Sequence, residues 1–220
     1  ARLSGTERVR YGEIMGELAT LCTQFGQNLL AEESTYTLEL KTEADRAGLP
    51  DFVLQAAQAA AQQRGLGDGA YAITLSPSLA EPFLTFSSRR DLRETLWRAR
   101  AARGAHAGPQ DNRPVAAKIM ALRQEQAALH GYKTYADYEM VDRMAGKTSA
   151  VLDLLHQAWV PAKAYAEVDR QALTEMASTL GEPTPIAAWD WRYLAQKVRA
   201  QRFDLDDAEL KPYFSLDAMV

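Results

Sequence analysis

Apolar side chains recur every three or four positions along most of the chain, the spacing of one face of an α-helix. In the first thirty residues this stripe consists of Val9, Ile14, Leu18, Leu21, Phe25 and Leu29. It predicts a long first helix that ends near Glu32. Further helices are predicted at residues 50–65, 78–86, 88–104, 113–131, 135–146, 149–181, 187–202 and 206–213.

The period changes in two short segments. In residues 35–40 (TYTLEL) and 71–75 (YAITL), polar and apolar side chains alternate, and residues that favour strands are frequent. They bracket one predicted helix, so they are expected to pair as a two-stranded sheet that needs a neighbouring element for stability. The predicted fold class is all-α, mostly helical, with a minor two-stranded β element.

Local signals refine the helix ends. Thr134 and Thr148 are predicted to cap the helices that follow them, since a threonine hydroxyl accepts hydrogen bonds from the first free amides. Pro161 lies inside the longest segment and is expected to kink it or remove one backbone hydrogen bond. Residues 106–112 (HAGPQDN) are predicted to form a loop.

Composition narrows the function classes. The 220 residues carry a net charge of −4, spread along the chain, which argues against nucleic acid as a partner. No apolar run approaches the ~18 residues of a membrane helix. The single cysteine, Cys22, excludes an internal disulfide, and its apolar helical setting predicts a buried, inert thiol. The chain opens without methionine and closes without a terminating signal, so both ends are expected to be cuts in a longer protein.

Candidate metal and phosphate sites are weak. His106, His130 and His156 are far apart, with no pair at i and i+4 and no H-E-x-x-H, so a complete zinc site is not expected. The glycines of residues 64–70 (RGLGDGA) follow a helix and precede a strand, the reverse of a dinucleotide fingerprint. A flexible connector is predicted there.

Two charged clusters allow two interpretations each. Six arginines between Arg89 and Arg103 either present a face to RNA or an acidic ligand, or keep their heads in water while their stems cover apolar surface. The structural interpretation is favoured, because no aromatic series interleaves for base stacking. Asp204, Asp206 and Asp207 either form a metal or acid–base site or favour a helix N-terminus, and the second is preferred.

The aromatic segment Trp189–Tyr193 raises the question of chemistry or packing. On a helix, Trp189 and Tyr193 share a face and Trp191 lies on another, while Asp190 near the first turn is placed to accept from free amides. These residues are therefore predicted to be packing anchors, with Trp189 in the core.

The same segment resembles a family signature. The stretch 188–214 (AWDWRYLAQKVRAQRFDLDDAELKPYF) is similar to the W-D-x-x-Y-Y … L-x-x-Y-F segment of the thimet oligopeptidase and peptidyl-dipeptidase family of zinc metallopeptidases. Other matching motifs fall in the family's order: LCTQFGQNLL, AGLPDFVLQAA, YAITLSPSLAEPFLTF, RDLRETLWRARAARG, DNRPVAAKIMALRQEQAALHGYKTYADYEMVDRMAGKT and YFSL. Leu194, His130 and Gly146 depart from the family pattern. The resemblance is stronger to the bacterial peptidyl-dipeptidase (dipeptidyl carboxypeptidase) branch than to oligopeptidase A.

The resemblance implies a mostly helical ellipsoid with a deep channel, and zinc held by an H-E-x-x-H helix and a glutamate C-terminal to the Tyr-Phe motif. No catalytic, cofactor-binding or metal-binding residue is therefore assigned to residues 1–220, and no zinc is expected to bind to this chain alone. The chain is predicted to be one helical segment of a larger metallopeptidase domain, part of the channel wall, with the remainder of that domain as its partner.

The implied parent enzyme is cytoplasmic, acts on short peptides and releases C-terminal dipeptides, while this segment alone is inactive. The alternative is a stand-alone helical binding module without catalytic activity. Neither interpretation gives the chain a nucleic-acid or membrane partner.

Overall fold

The computed structural model describes residues 3–203, and they are mostly helical as the periodicity predicts. The eight α-helices of this part of the chain are α1 Gly5–Thr35, α2 Asp51–Gln63, α3 Pro77–Phe86, α4 Arg90–Ala101, α5 Asn112–Leu129, α6 Tyr135–Glu139, α7 Thr148–Leu180 and α8 Trp191–Phe203. Short 3-10 turns lie at Ala44–Arg46 and Met140–Asp142. The strands are β1 Leu38–Glu39 and β2 Ala72–Ile73. The helix predicted at 206–213 lies outside the described residues.

The chain divides into two compact units. Of the described residues, the first contains 3–36 and 102–165, and the second contains 37–101 and 166–203. Helix α7 begins in the first unit and ends in the second. Among residues 3–203, none of the helices is both long and apolar enough to cross a bilayer.

The first unit is built on the packing of α1 against α5. Its core consists of Ile14, Leu18, Val115, Ile119 and Leu122, with Leu21, Phe25 and Leu129 packed around them. The predicted stripe is therefore confirmed in its centre. Its first member is not, because Val9 is largely exposed.

The prediction of a buried cysteine is wrong, since Cys22 is exposed. It stands at the edge of the apolar stripe of α1, about 100° around the helix from Leu21. The core formed with α5 includes Leu21 and Phe25 but does not extend to the thiol. A stripe predicts a buried face, and the width of that face depends on the partner helix.

A second correction concerns the start of α7. Thr148 is the first helical residue and does not cap the helix; its hydroxyl donates to Asp137 Oδ1 at 2.7 Å. Thr134 does cap α6, with its hydroxyl accepting from the Asp137 amide at 3.1 Å. The Asp137 carboxylate accepts from both threonines and so links the start of α6 to the start of α7. Helix α7 continues through Pro161.

The second unit contains the predicted sheet, the only one in the described part of the chain. Strand β1 pairs antiparallel with β2, with Leu38 opposite Ile73. Helix α2 lies against β2 and α3, and α3 in turn packs against α4 and α8. The strands are shorter than predicted, because only two residues of each take part in the ladder.

The turn before α2 depends on a glycine. Gly48 has φ of +83°, and a Cβ at this position would lie 2.6 Å from the Phe86 carbonyl oxygen and 2.5 Å from Ser88 Oγ. The two backbone segments, one around Gly48 and one around Ser88, are this close because the Ser88 amide donates to the Ala47 carbonyl at 2.9 Å. Gly65, in contrast, has φ of +71° and open space around it.

We therefore expect Gly48→Ala to destabilise the protein by roughly 2–4 kcal/mol, from a left-handed backbone plus overpacking against a carbonyl. The control Gly65→Ala carries only the backbone cost of about 1–2 kcal/mol. Urea unfolding followed by circular dichroism measures both. Equal losses in the two variants would show that the Phe86 backbone yields without cost.

Candidate functional site

The Trp-Asp-Trp segment lies at the start of α8, in the second unit. Asp190 immediately precedes the helix, and its carbonyl accepts the first helical hydrogen bond from the Leu194 amide at 2.9 Å. The predicted start at Ala187 is wrong by one turn. The Ala187 amide donates to Asp190 Oδ2 at 2.9 Å, and the Asp190 amide donates back to the Ala187 carbonyl at 3.0 Å. This local pairing holds residues 187–190 as a turn instead of a helix.

Two arginines of α4 donate hydrogen bonds to the Asp190 carboxylate. Arg90 donates from Nε to Oδ1 at 3.0 Å and from Nη2 to Oδ2 at 2.9 Å, the side-by-side geometry of a bidentate pair. Arg93 donates from Nη2 to Oδ1 at 3.1 Å. Arg90 Nε also donates to Oδ2 at 3.3 Å, so together with the Ala187 amide this carboxylate accepts five hydrogen bonds. Asp190 is only 2% exposed, so it has almost no access to water. It joins two elements about a hundred residues apart in sequence.

Arg93 is the more unusual member of the cluster, because it is 0% exposed. Its Nη1 donates to the Ser87 carbonyl at 2.8 Å, and its guanidinium lies over the Tyr193 ring at 4.0 Å from the ring centre. Glu182 contributes a second carboxylate at 3.7 Å. Arg93 Nε has no hydrogen-bond partner in the described residues. The buried charge is therefore balanced by carboxylates, one backbone carbonyl and an aromatic face.

The cluster sets the ionisation of Asp190. Burial alone would raise the pKa of this carboxyl, but hydrogen bonds from Arg90, the Ala187 amide and Arg93 outweigh burial, so the pKa lies below its usual value of 3.8. Asp190 is consequently an anion at neutral pH. An ionised, fully occupied carboxylate is not a general base, and this favours a structural role over proton transfer.

Trp189 packs beside the cluster but is only half-buried, so the prediction that it lies in the core is wrong. Its ring lies 5.9 Å from the Trp97 ring, and the guanidinium groups of Arg98 and Arg90 lie 4.9 and 5.5 Å from its centre. The expected stacking of Trp189 on Tyr193 within one helix does not occur, because Trp189 precedes α8. Tyr193 is instead buried with Leu173, Met176, Ala177 and Leu194. Trp191 points away and is 38% exposed.

The remaining arginines of the basic run are also paired with carboxylates. Arg89 contacts Asp45 and Asp91, Arg98 contacts Glu94, Arg100 contacts Glu81, and Arg103 contacts Glu33. This pairing favours the structural interpretation over an RNA face. The expectation that every arginine head lies in water is wrong for Arg93, because its position on α4 faces the core beside Leu96.

None of the described residues forms a group of three or more His, Cys, Asp or Glu side chains able to hold a metal. His106 is exposed beside Glu32, and His130 ends α5 with Nδ1 3.0 Å from the Gln126 carbonyl and its ring against Tyr11 and Tyr138. His156 is exposed on α7. The donors in residues 3–203 therefore do not fit zinc. Asp204, Asp206 and Asp207 lie outside the described residues.

The glycine-containing loop after α2 connects a helix to a strand, as predicted. Together with residues 39–41 and Arg46 it lines an open cavity of about 390 Å³ in the second unit. Arg46 lies over the Tyr71 ring at 4.5 Å. This loop is followed by strand β2 and not by a helix whose first amides could bind phosphate, so it does not have the geometry of a dinucleotide-binding loop.

The described residues therefore form a mostly helical segment with a buried aspartate–arginine cluster and no metal site of their own. Residues 83–220 match peptidase family M3. The chain is 35% identical over 216 residues to oligopeptidase A of Haemophilus influenzae, which covers 96% of this chain and 31% of that protein. It is 30% identical over 220 residues to dipeptidyl carboxypeptidase of Escherichia coli, covering 100% of this chain and 32% of that protein.

The chain therefore belongs to peptidase family M3, which confirms the resemblance seen in its motifs. It spans about a third of the length of the curated relatives that it matches. Relatives from both the oligopeptidase A branch and the dipeptidyl carboxypeptidase branch match, at 35% and 30% identity, so the comparisons support the family and the nearer branch stays a prediction.

Sequence reasoning missed the aspartate–arginine cluster. It placed Asp190 at a helix start but assigned its oxygens to helix amides. The available signal was Arg93, a charged residue on the same face of α4 as Leu96. A cation on a stripe that must be buried implies a carboxylate partner from another element.

We expect Asp190→Asn to cost roughly 3–5 kcal/mol, because two buried or half-buried guanidinium groups lose their counter-charge. The control Asp91→Asn removes a carboxylate that pairs with Arg89 at the surface and should cost about 1 kcal/mol or less. Denaturant midpoints of the two variants give the comparison. A small loss for Asp190→Asn would mean that water reaches the cluster.

Trp189→Ala is expected to cost roughly 2–3 kcal/mol, because it removes a half-buried ring from its contacts with Trp97 and with the guanidinium groups of Arg90 and Arg98. Trp191→Ala, the matched change on the exposed side, should stay within about 1 kcal/mol of the parent. Thermal and urea unfolding of the pair test the assignment of Trp189 as the packing anchor, and the reverse order of stabilities would contradict it.

Proposed function

We propose that this chain is a scaffold segment of a zinc-dependent metallopeptidase that hydrolyses short peptides and releases dipeptides from their C-terminus. One observation carries the proposal. Nearly the whole chain aligns with only about 31% of oligopeptidase A and about 32% of dipeptidyl carboxypeptidase, both named as peptidases. A segment of that extent supplies part of a catalytic domain, and we assign it to the helical wall beside the substrate channel.

The zinc ligands of the parent enzyme are assigned to a part outside this chain, because the described donors do not fit a zinc site. When bound, zinc would polarise the scissile carbonyl and activate a water molecule. The contribution of this chain is mechanical. The charged cluster and the aromatic packing of the second unit hold α4 and α8 rigidly, and a wall of rigid helices positions a peptide reproducibly.

Dipeptide release and internal cleavage differ in whether the enzyme recognises the C-terminal end of its peptide substrate. A peptidyl-dipeptidase has to recognise the free C-terminal carboxylate of its substrate, whereas an oligopeptidase does not. We favour dipeptide release, because dipeptidyl carboxypeptidase of Escherichia coli aligns with all 220 residues of this chain. A cytoplasmic location of the parent enzyme completes the finer part of the proposal. Comparing free and C-terminally amidated peptides as substrates of the parent enzyme decides this part, since only a peptidyl-dipeptidase loses activity on the amide.

The coding sequence beyond Val220 tests the proposal at once. An H-E-x-x-H motif within a few hundred residues, followed by a glutamate that can serve as third ligand, supports a peptidase segment. A stop codon directly after Val220 contradicts it and supports a stand-alone helical binding module instead.

We further expect the purified 220-residue chain to contain well under one zinc per chain after dialysis and to cleave neither free nor blocked short peptides. Elemental analysis and a peptide cleavage assay, each with and without added chelator, measure this. Stoichiometric zinc, or chelator-sensitive cleavage that follows the chain through a further column, would show that the chain has a metal site of its own.

A further inference from the structure

The part of α7 that belongs to the first unit carries large apolar side chains in water. Trp159 is 62% exposed, Val160 71% and Tyr165 72%. Leu152, Leu154 and Leu155 are between 49% and 67% exposed. All six lie within four turns of one helix. Scattered exposed apolar residues are ordinary, but a contiguous series of this size marks a surface that another element covers.

The apolar positions occupy an unusually wide arc. At 100° per residue, Leu152, Leu155 and Trp159 lie on one side of the helix, while Leu154 and Tyr165 lie roughly 80–160° around from them. Val151, Ala158 and Ala162 fill the space between the two sets. The apolar arc is about 160° wide, and Val160 extends apolar character to the opposite side. A helix at the surface of a globular domain needs an apolar stripe of only about 100°.

The polar positions of this segment are correspondingly few. Asp153, His156, Gln157 and Lys163 form a polar strip about 120° wide on the remaining side, with Val160 in its middle. None of them takes part in a salt bridge within the described residues. A helix with apolar side chains on most sides is typical of the interior of a large domain, where neighbouring helices cover it from more than one direction.

The width of the arc also decides which partner fits. A second copy of the chain, pairing helix to helix, would bury one seam and leave the other side of the arc in water. Covering both sides requires several elements. The aligned relatives have about two thirds of their length outside the region matched by this chain, which is enough for a multi-helix neighbour.

We propose that residues 151–165 form a central helix of the assembled M3 peptidase domain and that both sides of its apolar arc bind the part of the peptidase polypeptide that lies outside this chain. This inference rests on the proposed function. It adds a specific surface by which the segment joins its catalytic domain.

The test is a split-protein assembly with the full 220-residue chain. The second component is Haemophilus influenzae oligopeptidase A lacking the region aligned with this chain, co-expressed with an affinity-tagged copy of the chain. The same split rebuilt with the relative's own aligned region is the positive control. Recovery of the complex, and peptide cleavage by it after zinc is supplied, are measured together.

The deciding variant carries Leu155→Glu and Trp159→Glu, and the matched control carries His156→Glu and Gln157→Glu on the polar strip. Because all four side chains are exposed, both variants should keep the urea midpoint of the unsubstituted chain. We expect at least a tenfold loss of recovered complex for the Leu155 and Trp159 variant, and less than a twofold change for the control.

Three results would overturn the inference. Undiminished assembly of the Leu155 and Trp159 variant would place the contact on another surface while leaving the proposed function intact. If the truncated oligopeptidase A assembles with its own aligned region but not with the unsubstituted 220-residue chain, the proposed function is contradicted as well. A stable dimer of the isolated chain in sedimentation velocity, abolished by Trp159→Glu, would identify a second copy as the occupant.

Discussion

The second unit depends on the ion pair between Arg93 and Asp190. Arg93 has no access to water, and the hydration free energy it loses is far larger than one surface ion pair returns. Only a nearly dehydrated carboxylate held at hydrogen-bond distance, with the Ser87 carbonyl and the Tyr193 ring around the same guanidinium, compensates for that loss. The start of α8 is fixed by this requirement. Asp190 has to end a turn, so that its oxygens face α4 instead of the helix amides.

The same interaction makes the unit sensitive to acid in a defined direction. The pKa of Asp190 is lower in the folded chain than its ordinary value of 3.8, so the folded state binds a proton at this carboxylate more weakly than the unfolded state does. Its stabilising effect is present in full above that ordinary value and is lost as pH falls towards the lower folded pKa. The neighbouring Trp189 ring packs against Trp97 and against the guanidinium groups of Arg98 and Arg90, and Arg90 also donates to the Asp190 carboxylate.

Helical periodicity was enough to predict the helices and the small sheet, because each is specified by its own apolar stripe or alternation. The motifs, read in order, were enough to predict the family. What the sequence could not provide is contact between distant residues. The Asp190 carboxylate, the exposure of Cys22 and the hydroxyl of Thr148 all depend on which neighbour arrives from elsewhere in the chain. Local spacing is silent about that neighbour, and in each case the local prediction was the one that failed.

The functional account joins these observations. The proposed wall segment would need helices held in place, to which the charged cluster contributes, and a surface for the rest of the domain, for which we propose the apolar arc of α7. The most direct measurement of the central claim is a double-mutant cycle on Arg93→Met and Asp190→Leu. We expect each single variant to be strongly destabilised, the double variant to be more stable than either single one, and a coupling free energy above about 2 kcal/mol. Additive losses, within about 0.5 kcal/mol, would show that the pair is not the interaction on which the second unit depends.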